Sequence, residues 1–125
     1  MDSTLTTIPV ITLDGPAASG KGTIAERVGS ALGFHYLDSG ALYRIATLAA
    51  LDAGIALEDE AALAELCRGL SPIFANGRIV VSGEDVTERI RSEEVSRATS
   101  RVAALPAVRR ALFELQRRAA RAPGL

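Results

Sequence analysis

The chain has 125 residues, a formal net charge of −1 at pH 7 and 48% hydrophobic residues, which suits one domain or part of a larger one. A charge so close to zero argues against binding nucleic acid through bulk positive charge. No apolar stretch has the length of a membrane span, the N-terminal residues lack a signal-peptide pattern, and the lone Cys67 excludes an internal disulfide. We therefore expect a cytoplasmic protein without nucleic-acid or membrane partners.

The run from Ile8 to Thr23 predicts a strand, a glycine-bounded loop and the start of a helix. Apolar residues occur at both odd and even positions of 8–13, as in a strand buried on both faces of a parallel sheet. Gly15 and Gly20 bound a loop whose amides, with the positive end of the helix dipole, can surround a polyphosphate. Lys21 adds a cation for the outer phosphates, and the Thr23 hydroxyl can reach phosphate or magnesium. The alternative is a glycine-rich turn that binds nothing.

The loop departs by one residue from the usual phosphate-binding signature, because Gly22 follows the lysine where Ser or Thr is expected. The sequence GKGT resembles that of the nucleoside monophosphate kinases, whose loop holds ATP. The resemblance implies a Mg²⁺ contact at Thr23 and an ATP site formed by Gly15, Pro16, Ala17, Ala18, Ser19, Gly20, Lys21, Gly22 and Thr23.

Helical patterns follow the loop. The first helix is expected to end at Gly33 and to pack on the first strand, and 34–37 reads as a second strand. A helix ended by Gly54 and a third helix with an acidic first turn and a buried Cys67 come next. The apolar stripe expected on the first helix consists of Ile24, Val28, Ala31 and Leu32.

A small antiparallel element is predicted over 72–83, because Asn76-Gly77 separates two β-prone runs. The run Ile79–Val81 followed by Glu84 and Asp85 could instead be the strand and magnesium-binding acid of an NTPase. The tight hairpin fits an exposed turn better, and we reject the NTPase interpretation.

Two more helices are expected, one from Ser92 to a break at Leu105-Pro106 and one from Pro106 to a stop at Pro123-Gly124. The last helix carries a face rich in arginine over 109–121, most of which we expect to be solvated. Nucleic-acid binding by this face has only weak support.

The stretch 37–44, LDSGALYR, predicts a second site. Read alone, Asp38 and Ser39 are helix caps, Tyr43 is a half-buried ring and Arg44 is a surface charge. In a P-loop kinase, however, the acceptor lies across the cleft from the loop, and an arginine at this place could bind its phosphate through two parallel bonds.

The chain resembles the bacterial cytidylate kinases in three stretches, GPAASGKGT (15–23), LDSGALYR (37–44) and SRATSRVAALPAVRRAL (96–112). The resemblance implies an α/β fold of the P-loop nucleoside monophosphate kinase type, a parallel sheet flanked by helices. It also implies an inserted antiparallel subdomain over 71–98 that helps to bind the acceptor. The sheet would be incomplete within 1–125.

The resemblance implies transfer of a phosphate from MgATP to CMP or dCMP, with Lys21 and Arg44 as the catalytic pair. The acceptor-site residues would be Ser39 and Arg44 at the phosphate, Ser100 and Arg109 at the cytosine edge, and Asp38 and Tyr43 in positioning roles. A serine and an arginine can pair with a pyrimidine edge.

The family's lid and C-terminal arginines have no counterpart in the sequence. We therefore expect an N-terminal portion of such a kinase, inactive or nearly so alone and monomeric when complete. A P-loop kinase for another acceptor and a non-catalytic nucleotide-binding module remain alternatives. The preference among CMP, dCMP and UMP stays open.

Overall fold

The computed structural model describes residues 7–16 and 19–125. Five α-helices lie in this part of the chain: α1 (Lys21–Leu32), α2 (Ser39–Ala53), α3 (Glu60–Arg68), α4 (Glu93–Ala103) and α5 (Pro106–Ala119). One antiparallel sheet has the order β1 (Ile73–Ala75), β2 (Arg78–Val81) and β3 (Glu84–Asp85), and a 3₁₀ turn spans Arg89–Arg91. None of the helices in the described ranges is long and apolar enough to cross a membrane.

The helix boundaries follow local capping chemistry and confirm the predicted helices. Asp38 caps α2 by accepting a hydrogen bond from the backbone N–H three residues on, and the Ser92 side chain does the same for α4. Gly33 and Gly54 close α1 and α2 in the left-handed region, both at φ 70°. Pro106 is the first residue of α5, where its missing N–H costs no hydrogen bond.

The core is built around α2, which packs against α3, α4 and α5. Its residues Leu42 and Ile45 are fully buried, and burial of each such side chain stabilises the fold by about 1.5–3 kcal/mol. The surrounding helices contribute Leu63, Cys67, Val95, Val102, Val108 and Leu112. The prediction that Cys67 is a buried helix residue is confirmed. Because α2 is held on three sides, the side chains at its N-terminal end start from a fixed backbone.

The predicted hairpin is present. β1 pairs with β2, and Phe74 lies opposite Ile79. The two turn residues Asn76 and Gly77 have φ values of 53° and 73°, as a tight two-residue turn requires. The Gly77 backbone N–H donates to the Glu26 carboxylate at 2.7 Å, so the tip of the hairpin is fastened to α1.

A hydrogen-bond network connects β2 with β3 and the residues that follow β3. Arg78 donates to Asp85 at 2.9 Å and to both carboxylate oxygens of Glu88, also at 2.9 Å. The Thr87 hydroxyl donates to Asp85 at 2.7 Å and accepts from the Ile79 N–H at 2.8 Å. Hydrogen bonds from Thr87, and then from Arg78, lower the pKa of Asp85 to about 2. Asp85 is thus engaged within an antiparallel turn, in agreement with our rejection of an NTPase acid.

The prediction of a buried strand over 8–13 is wrong for this chain. These residues take no regular strand, and Val10 and Ile11 are about half exposed. The Ile11 N–H donates to the Leu125 carbonyl at 2.8 Å, and the Leu125 N–H donates to the Pro9 carbonyl at 3.0 Å. That is the bonding pattern of neighbouring parallel strands, but it involves one partner residue only, which is too short a ladder to form a strand.

Residues 34–37 are likewise extended without forming a regular strand. The His35 N–H donates to the Gly124 carbonyl at 2.9 Å, so 124–125 lies between this segment and the segment 9–11. The predicted apolar stripe of α1 is also not buried, since Ile24 and Leu32 are about half exposed. The parallel sheet that would cover those side chains is not formed within the described residues.

Candidate functional site

The predicted phosphate loop lies immediately before α1. The Lys21 ammonium donates to the Gly15 carbonyl at 2.8 Å and so closes the loop on itself. Gly20 has φ 83° and begins the helix, a conformation that few residues other than glycine adopt readily. The first N–H groups of α1, through Thr23, have no carbonyl of their own helix to bond. The first turn carries no acidic residue that would repel an anion.

Ala17 and Ala18 of the predicted site lie outside the described residues.

The sequence reasoning missed Tyr36, which lies beside this loop. A Cβ built on Gly22 would be 3.7 Å from the Tyr36 hydroxyl, so the ring reaches the first turn of α1. The same ring packs edge to face against Phe74, with centroids 6.0 Å apart. Burial, followed by the charges of Asp38 and Glu26, raises the pKa of the Tyr36 phenol. Tyr36 therefore connects the loop helix, the hairpin and the segment that precedes α2. The only signal in the sequence was its place directly before LDSGALYR.

The first residues predicted on the acceptor side lie at the start of α2. The Asp38 carboxylate accepts from the Ala41 N–H at 3.1 Å, which confirms its capping interpretation. Ser39 is the first residue of the helix rather than a cap, and it is exposed. Its hydroxyl is therefore available to a ligand at a helix N-terminus, where negative charge is stabilised.

Arg44 is half-buried and is not the free surface charge that the segment alone would suggest. Its Nη1 donates to the Ser96 hydroxyl on α4 at 2.8 Å and to the Ile90 carbonyl in the 3₁₀ turn at 3.3 Å. Both bonds use one nitrogen. The opposite edge of the guanidinium, formed by Nε and Nη2, makes no hydrogen bond within the described part of the chain, and a phosphate could be bound there in bidentate fashion.

Arg109 and Tyr43 line one open cleft of about 530 Å³ between α2 and α5, together with Arg110 and Phe113. Arg109 donates to the carbonyls of Ala103 at 3.2 Å and Ala104 at 2.9 Å, where its charge complements the negative end of α4.

Ser100 lies near the same end of α4, where its hydroxyl donates to the Arg97 carbonyl at 3.3 Å. The structure thus brings Arg44 and Arg109 each against α4. It forms no hydrogen bond between Ser100 and Arg109, the pair predicted at the cytosine edge.

A larger open cavity of about 1050 Å³ lies elsewhere, between α1, β1 and the end of α5. Tyr36 and Phe74 line it, together with the arginines Arg27, Arg68, Arg118 and Arg121. None of the predicted acceptor-site residues lines this cavity. Two of them, Tyr43 and Arg109, line the smaller cleft.

The comparison with known proteins identifies the family. Residues 11–125 match a family model described as cytidylate kinase. The chain is 52% identical over 119 residues to a cytidylate kinase of Chromobacterium violaceum, covering 95% of this chain and 54% of that protein. It is 51% identical over 117 residues to a cytidylate kinase of Bordetella pertussis, covering 94% and 52%.

These matches place the chain in the class of P-loop nucleoside monophosphate kinases. Within that class, it belongs to the cytidylate kinase family, which confirms the resemblance. The chain spans about half the length of the curated relatives it matches.

Proposed function

We propose that this protein transfers the γ-phosphate of ATP to CMP or dCMP. The observation that carries the proposal is the arrangement of Arg44, whose guanidinium is fixed through one nitrogen while its other edge can bind a phosphate. The family relationship supplies the acceptor, since the relatives are named cytidylate kinases.

On the donor side, the amides of 15–23 and the Lys21 ammonium would bind the ATP phosphates. The Lys21 contact with the Gly15 carbonyl is exposed, so a phosphate can displace it at little cost. Phosphoryl transfer needs charge neutralisation and alignment more than covalent chemistry from the protein. Lys21 serves the first need, and Arg44, holding the acceptor, serves the second.

On the acceptor side, Ser39 and Arg44 would bind the CMP phosphate, and Asp38 and Tyr43 would position it. Arg109 would read the cytosine edge with Ser100. Only Nη1 of Arg109 is engaged with carbonyls, so its remaining donors can reach a base without releasing the helix end. The segment 71–98, which contains the hairpin, would contribute to this side as an inserted acceptor-binding subdomain.

We propose Mg²⁺ as the metal that accompanies ATP. Thr23 is exposed in the first turn of α1, and its hydroxyl can serve as a ligand. No group of three His, Cys, Asp or Glu side chains in the described ranges could hold a metal. Magnesium suits such a site, since it keeps several waters and binds mainly through the phosphates of the substrate. When bound, it neutralises charge between the phosphates.

We further propose that the protein acts in the cytoplasm, as a monomer when complete, and without nucleic-acid or membrane partners. Because the chain spans about half the length of its relatives, the 125 residues alone should transfer phosphate slowly or not at all. The lid arginines that close over ATP would come from sequence with no counterpart in this chain.

The test is a phosphoryl-transfer assay on the protein from its native source, with MgATP and, in turn, CMP, dCMP, UMP or AMP. We expect CDP or dCDP as the main product. Lys21→Met should lower kcat by about 10²–10³, the usual effect of removing one group that stabilises transition-state charge. Arg68→Ala, at an exposed arginine outside the proposed site, is the matched control.

A higher rate of transfer to AMP or UMP than to CMP and dCMP would favour a kinase for another acceptor. Nucleotide binding without transfer to any acceptor would favour a non-catalytic module. Either outcome would contradict the proposal.

A further inference from the structure

We propose that Ser96 is a positioning residue that orients the Arg44 guanidinium toward the phosphate of the acceptor. The inference rests on the proposed function, since it takes CMP as the ligand. It concerns a residue to which neither the sequence motifs nor the family resemblance gave a role.

The Ser96 hydroxyl sits on a well-fixed part of α4. The backbone N–H of Ser96 donates to the Ser92 carbonyl at 2.9 Å, and Ser92 itself caps the helix. From this position the hydroxyl accepts from Arg44 Nη1 at 2.8 Å. The second acceptor is the Ile90 carbonyl at 3.3 Å, and Ile90 is only 2% exposed. Two acceptors on anchored backbone therefore define the plane of the guanidinium.

The N–H groups of Arg44 that are not used within the protein are arranged to bind an anion. A guanidinium has five N–H groups, and the two on Nη1 are directed at Ser96 and Ile90. The remaining three lie on Nε and Nη2, the edge that matches two phosphate oxygens. A side chain that is already oriented loses less conformational entropy when the ligand binds.

The partners of Arg44 are neutral, unlike those of Arg78 and Arg89. Arg78 binds the carboxylates of Asp85 and Glu88, and Arg89 binds two carboxylates as well. Arg44 forms no ion pair within the described residues and is held by a hydroxyl and a carbonyl. Its charge is thus left for a ligand, while its direction is set by Ser96.

The test measures the dissociation constants of CMP and cytidine for the 125-residue chain by NMR titration. Ser96→Ala should weaken CMP binding about fivefold, the value of one hydrogen bond, and should leave cytidine binding unchanged. Ser96→Thr keeps the hydroxyl and should restore CMP affinity. Arg97→Ala, an exposed neighbour on α4, is the control and should match the wild type.

A second readout needs no ligand. The Nη protons of Arg44 should give resolved, slowly exchanging signals in the wild type and in Ser96→Thr, and these signals should broaden in Ser96→Ala.

Equal CMP affinity and equal Arg44 signals in wild type and Ser96→Ala would overturn the inference. So would an equal loss of CMP and cytidine affinity, which indicates a merely structural tie between α2 and α4. If the wild type binds CMP no better than cytidine, the proposed function fails instead, and the Arg44 signals still decide whether Ser96 orients the side chain.

Discussion

Gly124 is buried against the ring of Phe34, and adding a single methyl group there should destabilise the chain. A Cβ built on Gly124 lies 2.5 Å from two ring carbons of Phe34 and 2.7 Å from a third. The Gly124 carbonyl also accepts from the His35 N–H, which ties the two segments together. The methyl group therefore cannot be accommodated unless the ring moves.

The size of the effect follows from this overlap. Ordinary carbon contacts begin near 3.5 Å, so the ring must shift by about 1 Å. The Phe34 N–H is held by the Gly29 carbonyl at 2.8 Å, which leaves ring rotation as the main escape. Overpacking of this kind costs typically 1–3 kcal/mol, and we expect about 2 kcal/mol for Gly124→Ala. For a chain of this size that corresponds to a fall in Tm of about 8 °C.

Urea unfolding followed by circular dichroism measures the effect, with Gly69→Ala as the matched control. A Cβ on Gly69 would meet its nearest atom at 3.7 Å, an ordinary contact, so that variant should be within about 0.5 kcal/mol of the wild type. Phe34→Leu combined with Gly124→Ala should recover part of the loss relative to the sum of the single changes. Equal stability of Gly124→Ala and Gly69→Ala would refute the reasoning.

Two further predictions concern titratable groups. The pKa of Asp85 is lowered from 3.8 to about 2, so its carboxylate stabilises the folded state above pH 3.8, and this contribution is lost as the pH falls toward 2. Asp85→Asn should flatten the fall of unfolding free energy over that pH range, and an unchanged slope in urea titrations would contradict the assignment. Burial raises the pKa of the Cys67 thiol to about 11, so a disulfide reagent near neutral pH should label Cys67 only as fast as the chain unfolds. Rapid labelling of the folded chain would show that this thiol is accessible.

The helices and the hairpin could be predicted because their signals are local. Asp38, Gly33 and Gly54 each mark a boundary through capping chemistry that involves only neighbouring residues. The pair Asn76-Gly77 fixes its turn through its own backbone conformations.

The strand over 8–13 could not be judged in the same way. A strand exists only through its partners, and the partner found here is Leu125, more than a hundred residues away. The apolar pattern was compatible with burial, but Val10 and Ile11 remain about half exposed. Hydrophobic periodicity thus indicated what the segment could form and not whether its partners were present.

The site was predicted only in part, for a related reason. The motifs identified Lys21 and Arg44 as phosphate-binding candidates. They did not indicate that Arg44 bonds to Ser96, 52 residues away, or that the Tyr36 ring reaches Gly22. Such contacts depend on helix packing, which the motifs do not encode.

A titration of the ¹⁵N-labelled chain with CMP tests the acceptor site most directly. We predict chemical-shift changes concentrated at 38–44, 96–100 and Arg109, with smaller changes for AMP at the same concentration. Changes centred on the larger cavity around Tyr36 and Arg118, or a stronger response to AMP than to CMP, would contradict the assignment of this site.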